Sequence, residues 1–95
     1  MYSRMIENNK LYKAKIFEVY SNNIYKIELK LNNYIYYYYN YYLCKISNNN
    51  EYDLTKINTI LNQFQQNLYV KVIAINKMLT VEIKVREEDQ YINLF

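Results

Sequence analysis

Residues 24–31 alternate between apolar and charged side chains, which is the period of a β-strand with one buried face. The side chains predicted to point inward are Tyr25, Ile27, Leu29 and Leu31. The same period returns over residues 78–85, where the predicted inward side chains are Leu79, Val81, Ile83 and Val85. Both segments are therefore predicted to be amphipathic strands that cover a core.

Three more strands are predicted over residues 12–20, 34–43 and 68–75. The first places Ala14 and Ile16 on one face, and the alternation then slips at Phe17, as a β-bulge would cause. Asparagine stands between several of these runs, at Asn22-Asn23, Asn32-Asn33 and Asn76-Lys77. Because asparagine tolerates the left-handed conformation, these positions predict hairpin turns in a chain without glycine.

Between the third and fourth strands the apolar spacing changes to that of a helix. The residues that follow this spacing are Leu54, Ile57, Ile60, Leu61, Phe64 and Leu68. Asp53 is the predicted N-cap. We expect Leu61 and Phe64 to lie buried beneath the strands.

The order of three strands, a helix and two strands is that of a five-stranded Greek-key barrel of the OB type, with the helix between strands 3 and 4. The pattern also permits a plain α+β sandwich. A mostly β chain of 95 residues is predicted to form one domain over residues 1–95, with residues 1–10 as an N-terminal extension.

Four segments of the chain resemble the staphylococcal-nuclease-like family. Residues 17–27 have the shape of that family's strand, D-G-D-T turn and following strand, and residues 42–50 resemble its R-L-x-G-I-D-T-P-E stretch. Residues 76–83 resemble its K-Y-G-R-L-L-V-x-I segment. Residues 89–95 look like the lead into its C-terminal helix. The resemblance implies a nuclease-like OB barrel.

The same resemblance implies that the catalytic chemistry is missing. The family's reaction needs carboxylates around a divalent cation, a glutamate near the attacking water and two arginines on the phosphate. The matching positions hold Ser21, Asn23, Tyr42, Ser47, Asn50 and Met78. None of them supplies an anionic ligand or a guanidinium, so we expect no enzyme, no metal and no cofactor. A residual metal-dependent nuclease remains the alternative, since Glu51 lies one position beyond the expected glutamate.

Other catalytic sets find little support in the composition. The chain has no histidine for a Ser/His or Cys/His pair and no glycine for a phosphate-binding loop. Its one cysteine, Cys44, lies among apolar and aromatic residues and is predicted to be a buried thiol.

Asparagine, tyrosine, isoleucine and lysine make up more than half of the chain, which suggests an AT-rich genome such as that of a parasite or a large DNA virus. A formal net charge of +3 argues only weakly for nucleic acid. The chain has no apolar run long enough for a membrane span and no hydrophobic N-terminal segment like a signal peptide. We therefore expect an intracellular protein that is not secreted and does not bind a membrane.

The tyrosine run of the third strand is the main candidate binding surface. One side of this strand is predicted to hold the odd-numbered tyrosines with Ile35 and Leu43. The other is predicted to point outward beside Lys26 and Lys30, with Tyr34, Tyr36, Tyr38 and Tyr42. Such a row can stack the bases of single-stranded nucleic acid or contact a protein partner. It can also reflect composition alone, because tyrosine suits β positions.

Four outward lysines on neighbouring strands are predicted to share one basic face, namely Lys13, Lys15, Lys26 and Lys30. Glu18 and Glu28 interrupt this face. The sequence thus predicts a non-catalytic, nuclease-derived module that binds within a larger assembly, such as a ribonucleoprotein or a virion. Its predicted contacts are with protein partners, and RNA or single-stranded DNA is a further candidate partner that the sequence does not separate from protein. The alternatives are a single-stranded nucleic-acid-binding OB protein and the residual nuclease.

Overall fold

The computed structural model describes residues 6–32, 36–47 and 52–95, and these form a barrel with one helix. The elements in chain order are β1 (Leu11–Ser21), β2 (Ile24–Asn32), β3 (Tyr37–Ile46), α1 (Leu54–Gln63), β4 (Leu68–Ile75), β5 (Leu79–Glu87) and β6 (Gln90–Asn93). The strands pair in the order β3-β2-β1-β4-β5-β6, and a short parallel pairing between β3 and β5 closes the barrel. The predicted mostly β, five-stranded OB-like barrel with a helix between β3 and β4 is confirmed.

The core lies inside this barrel and consists of the inward side chains of the strands. The side chains predicted to point inward on β2 and β5 are all buried. Their removal from water is the main stabilising contribution in a domain of this size. The alternation of these two strands therefore predicted their orientation correctly.

The predicted bulge in β1 is also confirmed. The β1–β2 register shifts between Ile16 and Glu18, and it shifts again between Val19 and Ser21. These shifts leave Phe17 59% exposed while Val19 packs against the core. A bulge bends and twists its strand, so a single long strand can pair with β2 along most of its length and with β4 near its start.

Helix α1 begins where the sequence predicted. Its N-cap is Asp53, whose Oδ1 accepts a hydrogen bond of 2.9 Å from the backbone N–H of Lys56. Leu61 is buried, as predicted, and so is Ile57. Phe64 is only partly buried, because the helix ends at Gln63 and Phe64 forms its C-cap.

The left-handed conformation predicted for the asparagine turns is wrong for the Asn22–Asn23 turn, both residues of which the structure describes. Positive φ angles among the described residues occur at Asn9 and Glu88, not in the Asn22–Asn23 turn. Side chains support that turn instead. The Ser21 Oγ donates to the Asn23 Oδ1 at 2.8 Å and accepts from the Asn23 backbone N–H at 3.3 Å. The second residue of the Asn32-Asn33 pair lies outside the described residues.

The described part of the predicted N-terminal extension belongs to the barrel. Ile6 is 1% exposed and forms part of the core cluster. The backbone N–H of Asn9 donates to the Val72 carbonyl at 2.6 Å, and the backbone N–H of Glu7 donates to the Tyr12 hydroxyl at 2.9 Å. The domain therefore extends at least to Ile6.

The C-terminal residues form a sixth strand. β6 pairs with β5 through a turn at Glu88 and Asp89. The ring of Tyr91 lies 4.9 Å from that of Tyr69, edge to face, and the Arg86 guanidinium lies 5.8 Å from the Tyr91 ring. No helix in the described residues has the length and apolar character needed to cross a membrane.

Candidate functional site

The tyrosines of β3 point the other way from the prediction. Tyr38 and Tyr42, predicted to be outward, pack against the core. The cause is the pairing with β2, which sets Tyr42 opposite Ile27 and Tyr38 opposite Leu31. Both of these partners are buried inside the barrel.

The exposed aromatic and aliphatic side chains of β3 are the odd-numbered Tyr37, Tyr39, Tyr41 and Leu43. Tyr36 is exposed but precedes the strand, and Tyr34 lies outside the described residues. The signal that finds the correct face is at the end of the strand. There Lys45 separates the apolar Cys44 and Ile46, and extending this alternation backwards turns the odd residues outward.

The outward side chains of the first three strands form one continuous surface, which we call the outer face. Its members are Lys13, Lys15, Phe17 and Glu18 on β1, Lys26, Glu28 and Lys30 on β2, and Tyr37, Tyr39, Tyr41, Leu43 and Lys45 on β3. Five lysines against two glutamates give this face a formal charge of +3. The rest of the chain has seven basic and seven acidic residues, so the net charge of the protein resides on the outer face.

The two lysines of β2 lie over aromatic rings of the outer face. The Nζ of Lys26 is 4.9 Å from the ring centre of Phe17 and 5.4 Å from that of Tyr41. The Nζ of Lys30 is 4.4 Å from the ring centre of Tyr37. Lys26 and Lys30 therefore do flank an exposed tyrosine row, although it is the odd-numbered row.

Tyr39 has a different environment from its neighbours on β3. It is 59% exposed, and none of the described rings or cations stacks on it. It lines a depression of about 380 Å³ together with Lys13, Lys15, Gln65 and Gln66. The two glutamines lie in the turn that follows the helix.

A smaller depression of about 160 Å³ adjoins the first and shares Lys15 and Glu28 with it. Phe17 and Tyr41 form the rest of its lining, with ring centres 5.1 Å apart in an edge-to-face arrangement. A hydrogen bond from the Tyr41 hydroxyl to the Glu28 carboxylate is the main reason that the pKa of Tyr41 is raised. Glu28 is thus the one acidic group at the centre of the face.

Three positions that match catalytic residues of the nuclease-like family in sequence meet at one end of the barrel, namely Ser21, Asn23 and Ser47. Ser21 and Asn23 share the β1–β2 turn, and the Asn23 carbonyl accepts a hydrogen bond of 2.8 Å from the backbone N–H of Ile46. The backbone N–H of Ser47, the next residue, donates to the Val81 carbonyl at 2.8 Å.

The other matching positions lie within β3, directly before β5 or outside the described residues. Met78 directly precedes β5, whose first residue pairs with Cys44, two residues beyond Tyr42. Asn50 lies outside the described residues, as does Glu51. Across the described residues, no three His, Cys, Asp or Glu side chains lie close enough to hold a metal ion.

Cys44 is the one thiol of the chain, and it lies fully buried in the core. Burial raises its pKa to about 12, so the thiol stays protonated at neutral pH. Its Sγ lies 3.6 Å from the Tyr42 carbonyl oxygen. A protonated, buried thiol is a poor nucleophile, which agrees with a structural role.

The chain matches none of the protein-family models, curated proteins or solved structures with which it was compared. The geometry and charge of the outer face are therefore the features of this protein that indicate a function.

Proposed function

We propose that this chain is a non-catalytic binding module built on a nuclease-like barrel, and that it binds single-stranded nucleic acid on its outer face. The observation that carries this proposal is the uncovered ring of Tyr39, which lies in a depression beside Lys13 and Lys15. An exposed ring next to cations offers a stacking surface for a base and counter-charges for the adjoining phosphates.

The strand geometry fits the size of a nucleotide. Lys30 pairs with Tyr39, and extending the β1–β2 register one residue beyond the Ala14–Leu29 pair puts Lys13 in the same row across the three strands. Neighbouring strands are ~4.8 Å apart, so Lys13 and Tyr39 are separated by about 10 Å along this row. A base stacked on Tyr39 would leave its phosphate within reach of the β1 lysines. OB barrels in general bind oligonucleotides on the strands that correspond to β2 and β3.

The turn after α1 supplies the groups that can contact base edges. Gln65 and Gln66 are exposed at the border of the depression, and each amide carries both a donor and an acceptor. Single strands expose their Watson–Crick edges, whereas a duplex hides them. The combination of a ring, two cations and two amides therefore favours an unpaired strand over a duplex.

The binding test uses fluorescence anisotropy of labelled oligo(dT) and oligo(rU) within the ~4–16 nucleotides that one OB fold covers. Tyr39→Ser should weaken binding about 5- to 150-fold, because one base–aromatic stack contributes ~1–3 kcal/mol. The matched control is Tyr52→Ser, which removes an exposed tyrosine outside the outer face and should leave affinity unchanged. Equal affinity of Tyr39→Ser and the wild type would overturn the proposal.

Charge variants provide a second, independent readout. Lys13→Gln with Lys15→Gln should lower the slope of log K against log salt by about 1.4, since each phosphate contact on a single strand contributes ~0.7. Glu28→Gln should tighten binding, because it removes the carboxylate at the centre of the face. A Glu28→Gln variant that binds more weakly would show that the strand does not cross this part of the face.

A protein partner in a larger assembly is the second candidate for the same face. The observation that favours it is Leu43, which is 46% exposed next to Tyr41 on the outer face and offers little to a base. Burial of such side chains responds weakly to salt, whereas phosphate contacts weaken steeply. Salt-insensitive capture of a partner by the wild type, lost on Leu43→Ser, would support this candidate.

A further inference from the structure

Part of β3 has a backbone edge that is not paired with any of the described strands. β3 pairs with β2 over nine consecutive residue pairs, from Ile24 with Lys45 to Asn32 with Tyr37. On its other side it pairs with β5 only from Cys44 to Ile46. Over residues 37–43, the described residues provide no strand on that side. Alternate backbone N–H and C=O groups there point away from β2 and have no strand to bond.

This edge lacks the features by which proteins usually prevent strands from pairing between molecules. Residues 37–43 contain no charged residue and no proline, and the β2–β3 register shows no bulge along them. Natural edge strands are commonly protected by lysine, proline or a bulge. An uncharged, regular and exposed edge of this length is therefore suited to pair with another strand.

We propose that two copies of this chain pair through the free edge of β3, antiparallel to each other, with Asn40 on the two-fold axis. This register sets Tyr39 opposite Tyr41 of the second copy, and Tyr37 opposite Leu43. Directly opposed aromatic pairs stabilise antiparallel strands, and no like charges face each other across the axis. A two-fold interface uses the same surface on both copies, which requires a self-complementary edge.

The surroundings of the edge leave room for a strand. A depression of about 360 Å³ runs along Asn40, Tyr41, Tyr42 and Leu43, and Lys77 and Leu79 border it on the far side. Asn40 is exposed on the inner side of β3, where its Nδ2 donates to the Tyr42 hydroxyl at 3.4 Å. In the pair, the two Asn40 amides would meet at the axis and hydrogen-bond across it. The two outer faces would then form one continuous sheet surface.

Sedimentation equilibrium over a range of concentrations tests the pairing. The wild type should be a dimer, and Asn40→Lys should be a monomer, because it sets two ammonium groups against each other at the axis. Asn58→Lys makes the same substitution at an exposed position on α1 and should remain a dimer. A monomeric wild type, including one that pairs only with a strand of another protein, would overturn the proposal, and so would a dimeric Asn40→Lys variant.

Cross-linking tests the register. Directly opposed residues in antiparallel strands have Cα atoms ~4.5–5.5 Å apart, which lies within the range that a disulfide spans. Under a mild oxidant, Asn40→Cys should therefore form a covalent dimer, while Asn58→Cys should not. Cys44 is fully buried and should not react. Absence of the Asn40→Cys dimer would refute this register.

The dimer is independent of the nucleic-acid proposal. Asn40 does not belong to the outer face, so monomeric Asn40→Lys should still bind oligonucleotides through Tyr39 and the β1 lysines. A monomeric variant that still binds oligonucleotides would show that nucleic-acid binding does not need the dimer. A stable dimer that binds no oligonucleotide would overturn the nucleic-acid proposal and leave the dimer proposal intact.

Discussion

Tyr25 offers the sharpest test of the core, because a polar atom lies buried there without a hydrogen-bond partner. The residue is 0% exposed on β2, and its hydroxyl oxygen contacts no donor or acceptor among the described residues. An unsatisfied buried hydroxyl costs about 1–3 kcal/mol relative to one that is hydrogen-bonded in water. Tyr25→Phe keeps the ring and removes this atom. We expect the variant to be more stable than the wild type by about 1–3 kcal/mol at neutral pH.

The same burial makes a prediction for alkaline pH. Removal from water raises the pKa of Tyr25 from 10.0 to about 12 in the folded protein. The unfolded chain therefore ionises first, and the free energy of unfolding falls as the pH rises from about 10 to about 12. Two pKa units correspond to about 3 kcal/mol at the upper end of this window. The free energy of unfolding of Tyr25→Phe should therefore fall less than that of the wild type over this pH range, because phenylalanine does not ionise. The buried Cys44 thiol, whose pKa is also raised, contributes the same trend from about pH 9 in both proteins.

Urea unfolding followed by far-ultraviolet circular dichroism measures both effects. Tyr37→Phe is the control, because that side chain is 66% exposed and the substitution should change the free energy of unfolding little. A Tyr25→Phe variant less stable than the wild type by about 1 kcal/mol or more would mean that the hydroxyl has a partner. If the free energy of unfolding of Tyr25→Phe fell between about pH 10 and 12 as steeply as that of the wild type, the ionisation of Tyr25 would not be coupled to unfolding.

Three further predictions concern the helix and the missing chemistry. In urea unfolding, Ile57→Ala should lower the free energy of unfolding by about 2–5 kcal/mol, because Ile57 is fully buried. Phe64→Ala should lower it less than the loss of a fully buried ring would, because Phe64 is only partly buried. A larger loss for Phe64→Ala than for Ile57→Ala would mean that the helix is placed wrongly. Asp53→Ala should cost about 1 kcal/mol through the lost N-cap, and no loss would mean that the cap bond is not formed in solution. The purified protein should leave single-stranded DNA and RNA intact with calcium or magnesium, and cleavage that disappears on Glu51→Gln would contradict the non-catalytic assignment.

The local pattern of the chain determined most of the strands and the start of the helix. Apolar and polar side chains alternate along β2 and β5, and a strand that buries one face requires this period of two residues. Asp53 precedes a helical spacing and supplies the oxygen that an N-terminus needs. The slip at Phe17 marked the bulge for the same reason, since an extra residue reverses the phase of alternation.

The candidate site was predicted only in part. Lys26 and Lys30 lie beside the exposed aromatic row, because their own strand alternates clearly. The sequence prediction places the exposed tyrosines on the wrong face, because tyrosine occurs on both sides of the strand over residues 36–42 and hydrophobicity gives no preferred phase within that run. Tyrosine can line a core or face water, so its orientation depended on the neighbouring strand.

Contacts between residues distant in sequence decided the rest. The β2 register turned Tyr38 and Tyr42 inward, and the folding of the turn after α1 brought Gln65 and Gln66 beside Tyr39. The closing contact between β3 and β5 begins only at Cys44, so none of the described strands pairs with that edge of β3 over residues 37–43. Pairing between distant strands depends on the closure of the whole barrel, so local alternation specifies the buried face of strands such as β2 and β5 but not where a strand edge stays open.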